Sequence, residues 1–205
     1  MSLNGYISRQ FGDPTGLGGR LVASVMNRQN RPLYEETLGL LRPSDPDNIL
    51  DIGCGNGYVL NMLASRCRGV LTGIDASESI LRAAAHRNHV HIKSGRMRLF
   101  CQDAGAMTFE DRSFDKAYAI NTVYFWKDLN GVMNEIGRVL RPGGLFVNAL
   151  YTNETLSRLS HTKYGYNRYA PEQLIGAGAD AGLTADTVTV LNGAAYCILY
   201  TKPNL

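Results

Sequence analysis

A glycine-rich turn placed directly after a short apolar segment is the feature that most restricts the fold of this chain. Residues 48–58 read Asn-Ile-Leu-Asp-Ile-Gly-Cys-Gly-Asn-Gly-Tyr, so that Gly-x-Gly-x-Gly follows an apolar run containing a single acid. Glycines at this spacing let the backbone turn sharply from strand to helix and let a ligand approach the main chain. The pattern predicts a nucleotide-like ligand, and proteins that bind NAD, flavin or S-adenosylmethionine share such turns.

From residue 48 onward, short apolar segments alternate with amphipathic ones. The predicted strands are residues 48–52, 70–75, 97–102, 114–120 and 145–150. The helix before the fifth strand is the clearest, because Asp128 is a suitable N-cap and apolar residues then recur at three- and four-residue steps up to Leu140. This alternation predicts an α/β domain with a doubly wound parallel sheet and right-handed crossovers.

The two ends of the chain depart from this alternation. Near the C-terminus, two strand-like segments are separated by Asn192-Gly193-Ala194, and Asn-Gly is a strong hairpin signal, so the last strand is predicted to be antiparallel. Residues 1–44 are predicted to form an N-terminal helical extension in which Pro32 begins the second of two helices, and residues 45–205 to form the domain proper.

Composition argues against several classes of function. The 205-residue chain has a formal net charge of +3 with scattered basic residues, so no nucleic-acid partner is expected. Its four cysteines include no Cys-x-x-Cys pair, which argues against a zinc ribbon and favours a reducing, cytoplasmic location. We expect neither a signal peptide nor a membrane span. His86, His89 and His91 are interpreted as a solvated helix face, so no metal is predicted.

Acidic residues stand in or after three of the predicted strands. Asp51 lies inside the first, where an ionised group needs a cationic or hydrogen-bonding partner, and the ammonium group of a ligand would provide one. Asp75 ends the second strand and either accepts hydrogen bonds from two ribose hydroxyls or caps the next helix. After the third, Asp103 either accepts the amine of adenine, with the backbone of Ala104 facing a ring nitrogen, or is a plain turn residue.

In this order the motifs resemble those of class I S-adenosylmethionine (SAM)-dependent methyltransferases. The matching segments are residues 49–57 (the first motif), 73–77 (the ribose-binding strand end), 101–104 (the adenine-contacting turn), 114–121 (the fourth strand) and 139–144 (the turn before the fifth strand). The resemblance covers residues 45–201 and is greatest to the small-molecule branch called methyltransferase type 11, which includes ubiquinone-biosynthesis-like enzymes.

The resemblance implies a Rossmann-like seven-stranded sheet in the order 3-2-1-4-5-7-6, with the last strand antiparallel. It also implies SAM as cofactor and S-adenosylhomocysteine as product. The implied cofactor contacts are Asp51, Gly53, Cys54, Gly55, Gly57, Asp75, Ala76, Ser77, Asp103, Ala104 and Asn121. N-terminal extensions such as residues 1–44 often close over the cofactor in this family, and the candidate residues for this closure are Tyr6, Phe11 and Gly12.

Aromatic residues occupy the side from which acceptors approach in this family. Tyr124, Phe125 and Trp126 follow the fourth strand, and we expect Phe125 to pack in the core while Tyr124 and Trp126 contact the acceptor. A segment rich in Gly and Tyr after the fifth strand is either a substrate loop or a plain surface loop. It contains His161, which joins Tyr124 and Trp126 as a candidate catalytic residue, although the fold requires no specific base.

The leading hypothesis is a SAM-dependent methyltransferase, monomeric or homodimeric, that methylates a small molecule by in-line displacement. An NAD-dependent oxidoreductase is the second reading. It is disfavoured by Gly-x-Gly-x-Gly in place of Gly-x-Gly-x-x-Gly, by the C-terminal hairpin and by the lack of a Tyr-x-x-x-Lys pair. A non-catalytic SAM-binding module is the third hypothesis, and only a measurement of turnover would distinguish it from the first. The lack of an Asn/Asp-Pro-Pro-Tyr motif argues against amino groups of macromolecules as acceptors.

Overall fold

A seven-stranded sheet in the order β3-β2-β1-β4-β5-β7-β6 forms the centre of the protein. The computed structural model describes residues 16–159, 162 and 165–204, with residues 16–24 as backbone only. The strands are β1 (Ile49–Ile52), β2 (Leu71–Asp75), β3 (Met97–Cys101), β4 (Phe114–Ile120), β5 (Leu140–Tyr151), β6 (Thr184–Val190) and β7 (Ala195–Thr201). The predicted α/β class and strand order are confirmed.

The direction of each strand pair follows from the connections. β1 pairs in parallel with β2 and β4, β2 with β3, and β4 with β5. β7 is antiparallel to both β5 and β6, as the Asn192-Gly193 signal predicted. The strand order reverses between β1 and β4, and ligands of open α/β sheets bind outside the carboxyl ends of the strands at such a switch point.

Helices cover both faces of the sheet. They are α1 (Gly16–Leu41), α2 (Tyr58–Ala64), α3 (Glu78–Arg87), α4 (His89–Lys93), α5 (Leu129–Val139), α6 (Asn153–Arg158) and α7 (Pro171–Asp180). Because side chains alternate along a strand, neighbouring residues enter different cores. Leu50 and Phe146 belong to one core, whereas Ile49 and Val147 belong to the other. The predicted cap of α5 is confirmed, since the Asp128 carboxylate accepts a hydrogen bond from Gly131 N at 3.0 Å.

The prediction of two N-terminal helices divided at Pro32 is wrong in the described part. Residues 16–41 form one helix with Pro32 inside it. A proline inside a helix costs about 3 kcal/mol because it removes a backbone donor and crowds the preceding turn. Leu33, Leu38 and Leu41 follow it on one face and are fully buried or nearly so. Each buried leucine contributes about 1.5–3 kcal/mol, so packing against the sheet outweighs that cost.

The turn predicted before the fifth strand lies inside β5. The strand begins at Leu140, which pairs with Phe114, and the register then shifts so that Lys116 faces Leu145. The intervening residues form an irregularity, in which Gly143 adopts a φ of 75°. A bulge of this kind interrupts the pairing locally without ending the strand.

Among the described residues, no helix combines the length and the apolar character of a transmembrane segment. Nor do these residues bring together three His, Cys, Asp or Glu side chains that would hold a metal ion. His86 and His89 lie exposed on α3 and α4.

Candidate active site

The glycine turn that follows β1 has the backbone geometry that its sequence predicts. Gly53, Gly55 and Gly57 all have positive φ angles, of 76°, 51° and 68°. A Cβ atom on Gly53 would lie 2.3 Å from Cγ2 of Thr122, and one on Gly57 would lie 2.4 Å from Nδ2 of Asn88. The turn therefore has both the conformation and the tight packing that only glycine permits.

Asn88, at the end of α3, holds this turn from below. Its buried side chain donates hydrogen bonds to the carbonyl oxygens of Gly57 at 2.9 Å and Ala84 at 3.0 Å. The side-chain oxygen Oδ1 of Asn88 accepts a hydrogen bond from Asn61 Nδ2 at 3.0 Å. Sequence reasoning missed Asn88, because an asparagine at a helix end also reads as an ordinary C-cap.

The Asp75 carboxylate, at the end of β2, joins the glycine turn to the next loop. Its Oδ2 accepts a hydrogen bond from Gly55 N and its Oδ1 one from Ser77 N, both at 3.0 Å. The cap of α3 is instead Ser77, whose Oγ accepts from Ile80 N at 3.4 Å. Each carboxylate oxygen can accept more than one bond. Asp75 thus organises the turn and also lines the cavity above it.

The third strand end lies beside the second. Gln102 N donates to the Asp75 carbonyl oxygen at 3.1 Å, which joins the two loops. Asp103 accepts a bond from Gly105 N at 2.8 Å through Oδ1, which is the geometry of a turn-forming aspartate. Asp103 and Ala104 both line the cavity, so the turn role of the Asp103 carboxylate does not remove it from the cavity wall.

Asp51 is the most unusual carboxylate of the site. It is 3% exposed within β1, and the Tyr118 hydroxyl of β4 donates to its Oδ2 at 2.7 Å. Burial raises the pKa of Asp51 to about 8; the Tyr118 hydrogen bond opposes this rise and the charge of Asp75 adds to it. A buried carboxyl with one neutral hydrogen-bond donor and a face on a cavity is suited to a cationic ligand group.

The end of β4 supplies the opposite wall of the turn. Asn121 has a φ of 57°, and its backbone N–H bonds to Ala149 O at 2.9 Å. Thr122 Oγ1 donates to the carbonyl oxygen of Ile52 at 3.2 Å, so the loops after β1 and β4 are joined. Asn121 lines the cavity together with Cys54, Ala76 and Ser77. The structure therefore brings all eleven predicted cofactor residues to one edge of the sheet, and all but Gly57 line the cavity.

The expectation that Phe125 packs in the core is wrong. Residues Val123–Phe125 form a 3-10 turn, in which successive side chains point about 120° apart. Tyr124 and Trp126 are 2% and 6% exposed, whereas Phe125 is 46% exposed. All three line the cavity, so Phe125 presents an open aromatic face while its neighbours form the wall behind it.

Tyr124 is held by its hydroxyl group. That oxygen accepts a hydrogen bond from Tyr151 N at 2.8 Å and lies 3.3 Å from Tyr151 O, to which it donates. Burial raises the pKa of Tyr124 above its ordinary value. A hydroxyl that is engaged by backbone and difficult to ionise positions neighbouring groups and is poorly suited to act as a base.

A strap, residues 165–169, folds over the aromatic wall. Asn167 Nδ2 donates to Trp126 O and Asn167 N to Tyr124 O, both at 2.9 Å. The Tyr166 ring centroid lies 4.9 Å from that of Phe125 and 5.3 Å from that of Tyr124. The predicted substrate loop is therefore packed on the cavity here. His161, like Tyr6, Phe11 and Gly12, lies outside the described residues.

Helix α1 closes the cavity from the other side, which sequence reasoning did not predict at residue level. Asn30 Oδ1 accepts a hydrogen bond from the Tyr151 hydroxyl at 2.9 Å, and Asn27 Nδ2 donates to Asn56 Oδ1 at 3.5 Å. Tyr34, Asn27 and Asn30 all line the cavity. Their spacing of three and four residues is the available signal, since it places three polar or aromatic side chains on one helix face.

The cavity is partly open to solvent and has a volume of about 1070 Å³. Sites for single small molecules usually measure about 300–1,000 Å³. This cavity lies at the upper end of that range, so it has room for an extended ligand. A doubly wound sheet with an antiparallel last strand and a glycine-lined cavity at its switch point defines the class of Rossmann-like enzymes that bind a nucleoside-type cofactor.

Comparison with known proteins identifies the family within this class. The profile of a methyltransferase domain matches residues 50–148. The methyltransferase YdaC of Bacillus subtilis, itself uncharacterized, is 31% identical over 125 residues, which are 60% of this chain and 67% of that protein. The 24-methylenesterol C-methyltransferase 2 of Oryza sativa subsp. japonica is 31% identical over 140 residues, 67% of this chain and 38% of that protein. The chain thus spans well under half the length of the sterol methyltransferase.

Solved structures agree on the fold. The putative methyltransferase of Haloferax volcanii, in a complex with the Trm112 methyltransferase activator, superposes with a TM-score of 0.77 at 18% identity, covering 88% of this chain and 93% of that one. The chain belongs to the class I SAM-dependent methyltransferases, whose cofactor is SAM.

Proposed function

We propose that this protein transfers the methyl group of SAM to a small-molecule acceptor by in-line displacement. The observation that carries the proposal is the meeting of Asp51, Asp75 and Asp103 around the glycine turn in one cavity. When bound, SAM would supply an electrophilic methyl group on a sulfonium: the bond from the acceptor's nucleophilic atom to the methyl carbon would form as the methyl–sulfur bond breaks, with neutral S-adenosylhomocysteine as the leaving group. The residues of the chain would bind and orient the cofactor and the acceptor, and they would exclude water from them.

The donor set fits such a cofactor. Asp51 is a buried carboxyl that accepts a hydrogen bond from the neutral Tyr118 hydroxyl, and it would hold the ammonium group. Asp75 lines the cavity at the end of β2, and its carboxylate would accept the ribose hydroxyls. Asp103 and the backbone of Ala104 would hold adenine. Among the described residues, a Cβ on Gly55 would come within 4 Å of Ile80 Cδ1 alone, at 3.8 Å, so a ligand would have space beside this part of the turn.

We assign the alignment of the reactants and the exclusion of water to helix α1, the strap and the aromatic residues after β4. Helix α1 and the strap flank the cavity and would shield part of it from water, which aligns reactants and strengthens electrostatic interactions. We assign Tyr124 a positioning role, because its hydroxyl is bound to the backbone of Tyr151. Trp126 and His161 remain candidates for contact with the acceptor and for a base.

Two observations support a small-molecule acceptor. The cavity is covered by α1 on one side and by the strap on the other, which suits an acceptor that enters whole. One relative is a sterol C-methyltransferase by name. The Haloferax neighbour, bound to an activator protein, makes a protein partner the alternative that a search for complexes would test. The free cysteines support the proposed cytoplasmic location.

Calorimetric titration with SAM and with NAD tests the proposal. We expect SAM to bind and NAD not to bind, and NAD binding without SAM binding would contradict it. Turnover is then measured as S-adenosylhomocysteine released with a metabolite library. Release with none of the acceptors, despite tight SAM binding, would favour a non-catalytic SAM-binding module.

The ribose assignment has its own test. Asp75→Asn should weaken SAM binding by about 1.5–3 kcal/mol, because it removes charge-assisted hydrogen bonds. Asp180→Asn is the matched control, since Asp180 is exposed at the end of α7, away from the cavity. Unchanged SAM affinity in a folded Asp75→Asn variant would refute the role of Asp75.

A further inference from the structure

Besides the side lined by α1, the cavity wall has two halves of different chemistry. The acidic half is the wall supplied by the loops after β1, β2 and β3, and it includes Asp51, Asp75 and Asp103. The aromatic half is the wall supplied by the chain after β4 and from the end of β5 onward. Its aromatic and apolar lining residues are Tyr124, Phe125, Trp126, Tyr151, Leu156, Leu159 and Tyr166, and its polar ones are Asn121, Thr122, Lys127, Thr155 and Thr162. Of the described residues that line this second wall, only Lys127 carries a formal charge, and it is exposed.

We propose that the aromatic half binds an uncharged, apolar acceptor with a ring that packs against Phe125 and Tyr166. This inference rests on the proposed function and adds the substrate class to it. A charged acceptor would lose its hydration against these aromatic and leucine side chains, and Lys127 is the one formal charge among the described residues of this wall, so the loss costs free energy. An apolar ring gains by the same desolvation.

The geometry of Phe125 is the main support. An aromatic side chain that is nearly half exposed in a cavity, beside two neighbours that are buried, leaves apolar surface for a ligand to cover. The Phe125 and Tyr166 rings meet at 61° with centroids 4.9 Å apart, so they form a corner and not a closed stack. A third ring placed in that corner contacts the face of one and the edge of the other.

Hydrogen bonds also hold the corner in place. Asn167 ties the strap to Trp126 O and Tyr124 O, and the Tyr124 hydroxyl is fixed to Tyr151. Preformed walls lower the entropy lost on binding. Leu156 and Leu159, on and just after α6, extend the apolar surface beyond the rings.

Binding of the neutral fluorescent probe N-phenyl-1-naphthylamine, with S-adenosylhomocysteine present in excess, tests the inference. We expect saturable binding to the wild type, weakened about tenfold in Phe125→Ala and in Tyr166→Ala. Phe125→Leu keeps apolar surface without the ring and should weaken binding less. Phe100→Ala is the matched control, because Phe100 is an exposed phenylalanine on β3 outside the cavity, and it should bind the probe like the wild type.

SAM affinity, measured by calorimetry in each variant, separates this inference from the proposed function. A wild type that binds no SAM contradicts the proposed function, whereas normal SAM binding with equal probe affinity in Phe125→Ala, Tyr166→Ala and Phe100→Ala overturns this inference alone. If Phe125→Ala does not fold, Tyr166→Leu and Phe125→Leu carry the same comparison. In turnover, neutral ring-bearing alcohols and phenols should release S-adenosylhomocysteine, and a preference for acyclic charged amines would contradict the inference.

Discussion

The hydroxyl group of Tyr118 donates a hydrogen bond of 2.7 Å to the carboxylate of Asp51 across two neighbouring parallel strands. Both side chains are buried, and burial raises the pKa of each above its ordinary value. The pair therefore presents a largely protonated carboxyl to the cavity near neutral pH. A cationic ligand group would favour its ionised form, so ligand binding and proton binding are linked at Asp51.

The first prediction is that SAM binding releases a proton below pH 8. At pH 6.5 Asp51 is protonated in the free protein, and the ammonium group of SAM would lower its pKa and expel the proton. Calorimetry at pH 6.5 in buffers of different ionisation enthalpy should give about one proton released per SAM bound. The release should decline as the pH approaches and passes 8.

The groups that face Asp51 allow this proton to be assigned. They are Tyr118 on β4, Tyr34 on α1, Cys54 after β1 and Asp75 on β2. Burial raises the pKa values of Tyr118, Tyr34 and Cys54, so these groups stay neutral over the pH range used. Asp51→Asn should abolish the release and Asp180→Asn should preserve it. A wild type that binds SAM without proton release would rule out this linkage.

The second prediction concerns the stability of the ligand-free protein. The pKa of Asp51 is about 8 in the folded state against an ordinary 3.8, so the folded state holds a proton that the unfolded state loses between these values. Its contribution to stability is complete below pH 3.8 and is lost as the pH rises through 8. Urea unfolding between pH 5 and 8.5 should therefore show a decline that is smaller in Asp51→Asn. An equal decline in both proteins would show that another group is responsible.

The third prediction is that Gly53→Ala destabilises the protein by about 2–4 kcal/mol, from a positive φ angle and overpacking together. The added Cβ would lie 2.3 Å from Thr122 Cγ2. Adding Thr122→Ser removes that methyl group, keeps the hydroxyl that bonds Ile52 O, and should restore part of the loss in urea unfolding.

Gly39→Ala is the control for Gly53→Ala, because it adds the same side chain at an uncrowded position. Gly39 lies on α1 with nothing within 4 Å of the added Cβ, so the change should stabilise the protein by about 0.5–1 kcal/mol. If Gly53→Ala were as stable as Gly39→Ala, the tight packing between the loops after β1 and β4 would be refuted.

The fourth prediction concerns Arg138, which ties the loop after β3 to α5. Its guanidinium donates to both Glu135 oxygens at 2.7 and 2.9 Å, to Phe109 O at 2.6 Å and to Met107 O at 2.9 Å. Arg138→Met should lower the free energy of unfolding by about 1–3 kcal/mol. Arg138→Lys should recover little of this stability, because an ammonium group cannot reproduce the fixed directions of the guanidinium hydrogen bonds.

Arg158→Met provides the comparison for Arg138. Arg158 forms an exposed pair with Glu154 one helical turn away, which is worth about 0.3–0.5 kcal/mol. Equal effects of Arg138→Met and Arg158→Met would mean that the loop does not depend on Arg138.

Features encoded in short stretches of sequence were predictable. The Asp128 cap and the Asn192-Gly193 hairpin depend on neighbouring residues, and the glycine turn carries its own conformational requirement. Features decided by packing were not. A 3-10 turn sends consecutive aromatic residues in different directions, so sequence alone did not show that Phe125 is the exposed one. Pro32 likewise stays inside a helix because distant strands bury the leucines that follow it.

The division of the cavity between two sets of strand ends bears on how such a protein acquires a new acceptor over evolutionary time. The carboxylates belong to β1, β2 and the loop after β3, whereas Phe125 and Tyr166 belong to the turn after β4 and the strap. Substitutions in separate structural elements have nearly additive effects. Mutations in the corner should therefore change which molecule is methylated while the methyl donor stays the same, so that new specificities arise by drift in a few aromatic positions.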